Sequence, residues 1–411
     1  MNNILSEHVY SGVRAQLQRR LAEPAPGHVQ LLFGPRQVGK TTLLLELQRA
    51  WGEQAIYAAA DAPAAALPGW WDQLWHQAQQ RAASGRAVLL LDEVHFISDW
   101  SRKLKHQADE LRRRQIPLHV VATGSSSLQL GAGARESMAG RFERLRLLHW
   151  PAAELAAQFK MSKTQALSQF IRHGGYPGAI PLLSDEARWR QYVRESIVEP
   201  AIGRDMQVLE KIRRPSLLRQ VYAICAHHPA EILSLQKISG RLTDKGALET
   251  IAHYLHLMEE AALVAALPKY SHAMVRQRAS PPKLIALNQA FLATATDQPS
   301  PLPERDPERW GRWIENACIA LAWNAGQKIW YWREEPREVD MILSGTWGHW
   351  AVEVKTGSFG SNDLVGLSEF CRRHRDFQPL VLCDATNKNV AVSAGMQAMS
   401  WEDYLWSGLH P

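Results

Sequence analysis

The sequence has few cysteines and no long apolar run. Its 411 residues include four cysteines, Cys225, Cys318, Cys371 and Cys383, which form no CxxC pair and have no histidine at zinc-ligand spacing. This pattern excludes a disulfide scaffold, argues against a structural metal and indicates a reducing compartment. No apolar segment approaches the roughly 18 residues of a membrane helix, and residues 1–10 lack the basic and apolar regions of a signal peptide. We therefore expect a cytoplasmic protein with no membrane partner.

Charge is present but unevenly distributed. With 46% hydrophobic and 21% charged residues, the composition excludes a disordered or collagen-like chain. Residues 201–290 carry a net charge of +5, whereas residues 301–411 carry −4. Such a change indicates separate domains with different partners. Basic charge alone is weak evidence for nucleic acid, because solvated faces also carry it.

The first 150 residues alternate short apolar runs with helical segments, which predicts an α/β fold with a parallel sheet and helices on both faces. The predicted strands are Val29–Phe33, Ala55–Ala58, Val88–Leu91, Leu118–Thr123 and Leu145–Leu148. The helices between them are expected at residues 40–50, 73–83 and 102–114. Composition and linkers suggest three domains, at residues 1–200, 201–298 and 299–411, the last opening with a Pro-rich stretch.

The first predicted strand runs directly into a GxxxxGKT motif, which predicts a nucleotide phosphate site. Glycines let backbone N–H groups surround a phosphate, and the following helix N-terminus adds its dipole. Lys40 is expected to reach the β- and γ-phosphates, and the Thr41 hydroxyl to bind Mg²⁺. The predicted nucleotide-binding residues are Gly34, Pro35, Arg36, Gln37, Val38, Gly39, Lys40, Thr41 and Thr42, with Asp92 and Thr123 from later strands.

The third predicted strand ends in Asp92 and Glu93, 52 residues or more after Lys40. In a P-loop ATPase the first acid holds Mg²⁺ and the second orients or deprotonates the attacking water. The alternative is that both acids only cap the next helix. A polar residue at the tip of the neighbouring strand, Thr123 or Ser125, is a candidate γ-phosphate sensor.

Two arginines, Arg135 and Arg141, are candidates to neutralise charge that develops on the transferred phosphoryl group. Either could act within its own subunit or from a neighbouring one. The alternative for each is a surface salt bridge.

The wording and order of several segments resemble one group of proteins across essentially the whole chain. The segments are GPRQVGKTT, LLLDEVHFISDW, TGSSSLQL, MAGRFE, HGGYPGAI, IGRD and the later EVD and EVK. The group is the bacterial and archaeal AAA-type ATPases with a C-terminal domain of unassigned function. The resemblance implies ATP and Mg²⁺ as cofactors and ATP hydrolysis as the activity. Because AAA-type relatives often form rings, a homo-oligomer is also an expectation.

Residues 231–267 read as a short helix, a break at residues 243–246 and a longer helix, with Thr243 as a candidate N-cap. Two apolar runs, Leu263–Leu267 and Lys283–Ala286, are expected to pair as a wing. Helix, turn, helix and wing is the layout of a winged-helix DNA binder, and the family resemblance points the same way. The alternative is a lid on the ATPase. The candidate DNA phosphate contacts are Lys237, Arg241, Lys245, Arg276 and Arg278.

Two alternating segments, Glu338–Leu343 and Trp350–Lys355, flank a Gly-Thr-Trp-Gly turn and predict an antiparallel hairpin. A turn centred between residues 346 and 347 makes Asp340 and Glu353 cross-strand partners on one face. Like charges at that spacing are destabilising. We therefore expect a divalent cation, or Lys355, between them.

This layout resembles the PD-(D/E)XK nuclease core, with Asp340 and the Glu353-Val-Lys355 triplet as its two motifs, although Val339 replaces the motif's proline. The resemblance implies Mg²⁺ ligands at Asp340 and Glu353, assistance by the helical acid Glu315, and activation of water by Lys355. The alternative is a surface ion network in a domain that only binds.

Two functions therefore compete on the sequence. In the first, ATP hydrolysis drives DNA engagement by a winged helix and a nuclease-like module. In the second, a slow ATPase switch gates a non-catalytic C-terminal half that recruits a protein partner.

Overall fold

The structure is a computed structural model that divides into two compact units. It describes residues 8–25, 28–124, 140–206, 212–243, 246–271 and 280–409, the side chains of 204 and 205 excepted. Residues 8–148 form the first unit, and the described residues from His149 onward form the second. The helices from Ala152 to Tyr192, which the sequence assigned to the ATPase domain, are therefore grouped with the C-terminal part of the chain.

The first unit is a five-stranded parallel sheet in the order β2-β3-β4-β1-β5. Its strands are β1 (Val29–Phe33), β2 (Ala55–Ala59), β3 (Ala87–Asp92), β4 (Leu118–Gly124) and β5 (Phe142–Arg146). Its α-helices are α1 (Tyr10–Ala22), α2 (Lys40–Trp51), α3 (Trp70–Ala83) and α4 (Trp100–Arg113), with 3-10 turns at 52–54, 63–66 and 94–96. This is the α/β sheet that the alternation of apolar runs predicts.

Alternation along the central strands explains why both faces of this sheet are covered. Leu31, Leu89 and Val120 face one core that α3 and α4 complete with Trp75 and Leu104. The intervening strand residues are also buried, as are the apolar faces of α1 and α2. Strands buried on both sides read as continuous apolar runs, which is how the sequence revealed them.

The fifth strand differs from its prediction. The sequence placed it at Leu145–Leu148, whereas β5 pairs Phe142 with Val29 and Arg146 with Phe33. As an edge strand it is half-buried and three of its five residues are charged, so the apolar run that follows it gave the stronger signal. Leu147 and Leu148 are buried beyond the strand end.

The second unit begins with helices and a two-stranded sheet. Its helices up to residue 295 are α5 (Ala152–Phe159), α6 (Lys163–His173), α7 (Glu186–Tyr192), α8 (Pro215–His227), α9 (Leu235–Gly240), α10 (Leu248–Glu260) and α11 (Gln289–Ala295), with a 3-10 segment at 177–182 and π-helical turns at 193–198 and 201–205. Strands β6 (Val264–Leu267) and β7 (Lys283–Ala286) pair antiparallel, as predicted. The N-cap of α10 is Ala247 rather than Thr243, whose backbone N–H donates to Gln220 Oε1 at 2.9 Å.

A mixed five-stranded sheet follows, in the order β12-β11-β10-β9-β8. Its strands are β8 (Lys328–Glu334), β9 (Arg337–Gly345), β10 (Gly348–Lys355), β11 (Gln378–Cys383) and β12 (Gln397–Ser400). The helices around it are α12 (Pro307–Asn324), α13 (Val365–Arg373), α14 (Lys388–Ser393) and α15 (Trp401–Ser407), with 3-10 turns at 361–364 and 385–387. The sequence predicted the hairpin of β9 and β10 but neither β8 nor β12.

Eight of the sixteen tryptophans are buried. Trp313, Trp332, Trp347 and Trp350 are each less than a tenth exposed. Along the part of the chain that the structure describes, no helix has the length and apolarity to cross a membrane.

Candidate functional site

The phosphate loop lies between the end of β1 and the start of α2. Gln37 and Gly39 have φ values of 61° and 98°, so the backbone turns back on itself and directs the chain into α2. Lys40 is buried, and its Nζ donates to the carbonyl oxygens of Gly34 and Pro35 at 3.0 and 2.7 Å. The helix N-terminus and the adjoining loop amides are the elements that bind a phosphate group.

Steric crowding requires glycine at position 34. A Cβ atom at this position would lie 1.8 Å from the carbonyl oxygen of Leu147, just beyond β5. Only glycine therefore fits where β5 passes the start of the loop.

Asp92 ends β3 at the same edge of the sheet, and two hydroxyl groups hold its carboxylate. Tyr57 donates to Oδ2 at 3.0 Å, and Thr123 donates to Oδ1. Asp92 is 3% exposed, and burial followed by the Asp92 charge raises the pKa of the Tyr57 hydroxyl above its usual value. Thr123 also accepts the backbone N–H of Glu93 at 3.0 Å. One hydroxyl at the tip of β4 thus bonds both the carboxylate of Asp92 and the backbone N–H of Glu93.

Glu93 leaves the strand in a left-handed conformation, with φ of 51°. This strained geometry, which clusters at functional sites, turns the side chain away from the strand direction. Its Oε2 lies 3.3 Å from His95 Nδ1. The sequence missed Tyr57 and His95, because nothing in a local motif predicts which neighbours will meet the acids.

The residues at this edge fit a nucleoside triphosphate and Mg²⁺. The loop supplies backbone amides and an ammonium group, and Thr41 lies in the first turn of α2. A hydroxyl and a buried carboxylate are hard oxygen donors of the kind that Mg²⁺ prefers. The strand order places Thr123 on β4, between the strand of the loop and the strand of Asp92.

Arg141 lies at the other edge of the sheet. Its carbonyl oxygen accepts the N–H of Val29 at 2.8 Å, at the start of β1, while the phosphate loop follows the end of that strand. Five residues of strand span about 16 Å. Within its own subunit Arg141 therefore lies far from the phosphate loop, and its Nε donates to Asp109 Oδ1 at 2.9 Å. A role in a neighbouring subunit stays a prediction.

Other predicted residues lie outside the described part of the chain, namely Ser125, Arg135, Lys245, Arg276 and Arg278. Of the candidate DNA contacts, Lys237 and Arg241 are described, and both are exposed on or beside α9. Arg241 also contacts the ring of His228. The following helix, α10, contains no lysine or arginine.

The C-terminal hairpin has the register that the sequence predicts. Gly345 pairs with Gly348 and Met341 with Val352, so the next step of the ladder faces Asp340 toward Glu353. On the other side of β9 a β-bulge opposes Asp340 and Met341 to Tyr331 alone. Bulges re-aim side chains. Asp340 Oδ2 accepts the N–H of Val354 at 2.9 Å instead of leaving both oxygens to a ligand.

A buried lysine that the sequence did not single out occupies the acidic cluster. Lys283, the first residue of β7, is 1% exposed. Its Nζ contacts Glu315 Oε1 on α12, and lies 3.3 Å from Glu338 Oε1 and 3.4 Å from Asp340 Oδ1 on β9. Lys355 Nζ separately contacts Glu353 Oε1 at 2.7 Å. The positive groups between these carboxylates are thus two lysines.

Burial and mutual repulsion raise the pKa values of two acids in this region. Burial, and then the Asp340 charge, raise the pKa of Glu315 to about 8 and that of Glu353 to about 8. Burial acts to lower the pKa of Lys283, but Glu315, Asp340 and Glu338 outweigh it and raise that pKa above its ordinary value. The ammonium therefore stays charged and the carboxylates take up protons first.

This arrangement does not fit a divalent ion while Lys283 is in place. Among the described residues no three histidine, cysteine, aspartate or glutamate side chains are grouped to hold a metal. The metal roles of Asp340 and Glu353, and the cleavage roles of Glu315 and Lys355, stay predictions.

Sequence comparisons divide the chain into three matches. Residues 27–156 match an AAA domain, residues 164–302 a domain of unknown function (DUF8612), and residues 310–404 a domain of unknown function (DUF4143). Two uncharacterized proteins, from Mycobacterium bovis and Mycobacterium tuberculosis, are each 27% identical over 83% of this chain and 72% of their own length.

Two solved structures are similar to part of this chain. AMPPCP-bound DnaA from Aquifex aeolicus is 17% identical, covering 60% of this chain and 86% of that one, with a TM-score of 0.31. The RuvB Holliday junction branch migration motor of Thermotoga maritima is 19% identical, covering 64% and 94%, with a TM-score of 0.32. At TM-scores this low, the fold rests on the strand order and the phosphate loop. Those features and the AAA match make the N-terminal domain an AAA-type, P-loop ATPase-like domain.

Proposed function

We propose that this protein is a Mg²⁺-dependent ATPase that couples ATP binding and hydrolysis to DNA engagement by its second unit. The ATPase proposal rests on the single hydroxyl of Thr123, which bonds the Asp92 carboxylate and the Glu93 backbone N–H. Thr123 lies on β4, the strand between β3 and the strand that leads into the phosphate loop. Acids that only capped a helix would need no such support from the neighbouring strand.

Each residue has a distinct task in this proposal. The loop amides and Lys40 bind the phosphates, and Lys40 exchanges its carbonyl partners for phosphate oxygens. Glu93 orients the attacking water and accepts its proton. Thr41 and Asp92 would hold Mg²⁺, which would supply positive charge to the β- and γ-phosphates.

Hydrolysis by purified full-length protein tests the ATPase. We expect Mg²⁺-dependent phosphate release that Lys40→Ala abolishes through lost nucleotide binding. Glu93→Gln should abolish turnover while nucleotide binding persists, because the amide cannot take the proton. Exposed Glu53→Gln, also in the first unit, is the matched control and should be unaffected. Equal hydrolysis by wild type and Lys40→Ala would end the ATPase proposal.

For DNA, support comes from two helices followed by a paired strand hairpin, α9, α10, β6 and β7, which is the winged-helix order. Because α10 lacks basic residues, the phosphate contacts we propose lie on α9, at Lys237 and Arg241. Each lost phosphate contact should reduce the slope of log affinity against log salt by about 0.9. Exposed Lys328→Ala on β8 is the control. An unchanged slope in the Lys237→Ala/Arg241→Ala variant would remove this assignment.

A second candidate function has an observation in its favour. The lysine inside the acidic cluster is what a binding domain with a retained nuclease-like fold needs, and it supports a C-terminal half that recruits a protein partner without cutting DNA. A cleavage panel on single-stranded, duplex and branched DNA, with and without ATP, separates the two functions. Cleavage that needs Mg²⁺ or Mn²⁺ and disappears in Asp340→Ala would instead favour a nuclease.

Assembly is the remaining part of the proposal. If Arg141 acts from a neighbouring subunit, hydrolysis requires a homo-oligomer, and its rate per subunit should rise with protein concentration. Sedimentation with and without nucleotide measures the assembly. Arg141→Ala should lower turnover without changing nucleotide affinity.

A further inference from the structure

The acidic cluster of the C-terminal sheet receives its cation from another part of the chain. Lys283 belongs to β7, and its ammonium meets carboxylates of α12 and β9 that lie 32 or more residues later in sequence. A lysine that is 1% exposed would be very costly to bury without these partners. Its position among them is therefore a built feature rather than a surface contact.

Three sets of contacts fix the strand that carries Lys283. Leu284 N–H donates to the Glu231 carbonyl at 2.9 Å, and Lys283 also forms a β-bridge with Ile232. At the other end of β7, fully buried Asn316 of α12 accepts the Ala286 N–H and donates to the Ala286 carbonyl, both at 2.9 Å. The ammonium is thus delivered to the carboxylates by a clamped strand.

The remaining oxygens of the cluster are only partly satisfied. Asp340 Oδ2 is taken by the Val354 N–H. Glu353 is 7% exposed, and its Oε2 is buried with no hydrogen-bond partner among the described residues, while Oε1 meets Lys355. The three N–H donors of Lys283 already serve Glu315, Glu338 and Asp340. A divalent ion, which takes about six oxygen ligands, could also accept this oxygen.

We propose that Lys283 is the resident cation of the Glu315–Glu338–Asp340 cluster and competes with a divalent ion for it, so that the cluster is closed to metal while this lysine is in place. The inference goes beyond the ATPase and deepens the second candidate function, on whose acidic cluster it rests. It makes that half of the molecule inert toward metal by an internal contact, not by loss of the carboxylates.

Manganese binding by the full-length chain tests this directly. Free Mn²⁺ is counted by electron paramagnetic resonance for wild type, Lys283→Met, and each of these combined with Asp340→Asn. The binding that Asp340→Asn removes is the binding at the cluster, and a phosphate-loop ion does not contribute to it. We expect Lys283→Met to bind Mn²⁺ there at least tenfold more tightly than wild type. Equal cluster affinities for wild type and Lys283→Met would overturn the proposal.

Thermal unfolding is a second test, and it remains decisive even if the variant folds poorly. In EDTA, Lys283→Met should unfold at a lower temperature than wild type, because the acids lose their cation, and Mn²⁺ should restore it. Exposed Lys328→Met should behave as wild type in both buffers. If Lys283→Met does not fold in EDTA, refolding with Mn²⁺ decides: recovery supports the proposal and failure to recover overturns it. ATP hydrolysis measured on the same samples reports the first unit, so a failed ATPase leaves this result unaffected.

Discussion

Replacing Thr123 with valine removes a hydroxyl group while keeping the shape of the side chain. In the structure that hydroxyl donates to Asp92 and accepts the Glu93 N–H, and Thr123 is fully buried. A hydrogen bond to a charged group contributes about 1.5–3 kcal/mol and a neutral one about 1 kcal/mol. We therefore expect Thr123→Val to lower the local stability of the β3 and β4 ends by about 3 kcal/mol.

Hydrogen exchange measured by mass spectrometry on peptides from residues 87–96 reports this loss where it occurs. At 1.4 kcal/mol per tenfold, the opening equilibrium should rise roughly a hundredfold. ATP hydrolysis should fall with it, since a catalytic acid displaced by about 1 Å loses on the order of a hundredfold in rate. Nucleotide affinity should change little, because the loop and Lys40 are untouched.

Two matched variants separate the hydroxyl from the rest of the side chain. Thr123→Ser keeps both hydrogen bonds and removes one methyl group, at a cost of about 1 kcal/mol. Tyr57→Phe removes the other donor to Asp92 but none to Glu93, so its effect should be confined to the first acid. If Thr123→Val exchanges at the wild-type rate and hydrolyses ATP normally, the idea that this hydroxyl positions the acids is refuted.

Three further predictions concern the steric and electrostatic support of the two units. Gly34→Ala should abolish nucleotide binding, measured with a fluorescent ATP analogue, because its Cβ would lie 1.8 Å from the Leu147 oxygen. Gly357→Ala should bind normally, because Gly357 has no positive φ and no described atom lies within 4 Å of where its Cβ would be. Asn316→Ala should lower the free energy of unfolding of the second unit by about 3 kcal/mol through lost buried hydrogen bonds to Ala286, against a small effect for exposed Lys163→Ala. Burial lowers the pKa of His149 to about 4, against about 6.5 unfolded. The contribution of neutral His149 to the free energy of unfolding is therefore complete above about pH 6.5 and is lost as the pH falls toward 4. Urea unfolding at a series of pH values should show a loss of up to about 3 kcal/mol, and His149→Gln should remove this pH dependence.

The parts predicted correctly from sequence are those that local pattern determines. The phosphate loop, the strand ending in Asp92 and the register of the β9–β10 hairpin each follow from contiguous residues. A turn of two residues between two alternating strands admits one register, so Asp340 and Glu353 could be aligned without any structure.

The parts that sequence missed depend on contacts between distant segments. Arg141 was a candidate for the ATP site because an arginine can neutralise charge on a phosphoryl group, yet parallel strands start and end at opposite ends of a sheet. Lys283 gave no signal in a short apolar strand, because its burial is set by Glu315 and Asp340 from later elements. The β-bulge at Asp340 likewise arises from pairing with β8, which was not predicted.

The segments that flank residues 272–279 are hydrogen-bonded to β8 of the C-terminal sheet. Tyr270 N–H donates to the Tyr331 carbonyl at 2.6 Å, Tyr331 N–H donates to the Pro268 carbonyl at 3.2 Å, and the Tyr331 hydroxyl donates to Pro281. The Tyr270 ring packs edge-on against Trp330 and Phe370. Residues 310–404, which match a domain model of their own, therefore depend on packing contacts with residues that precede them. A chimera that transplanted this stretch alone would leave behind both the aromatic ring that seals one face and the lysine that neutralises its acids.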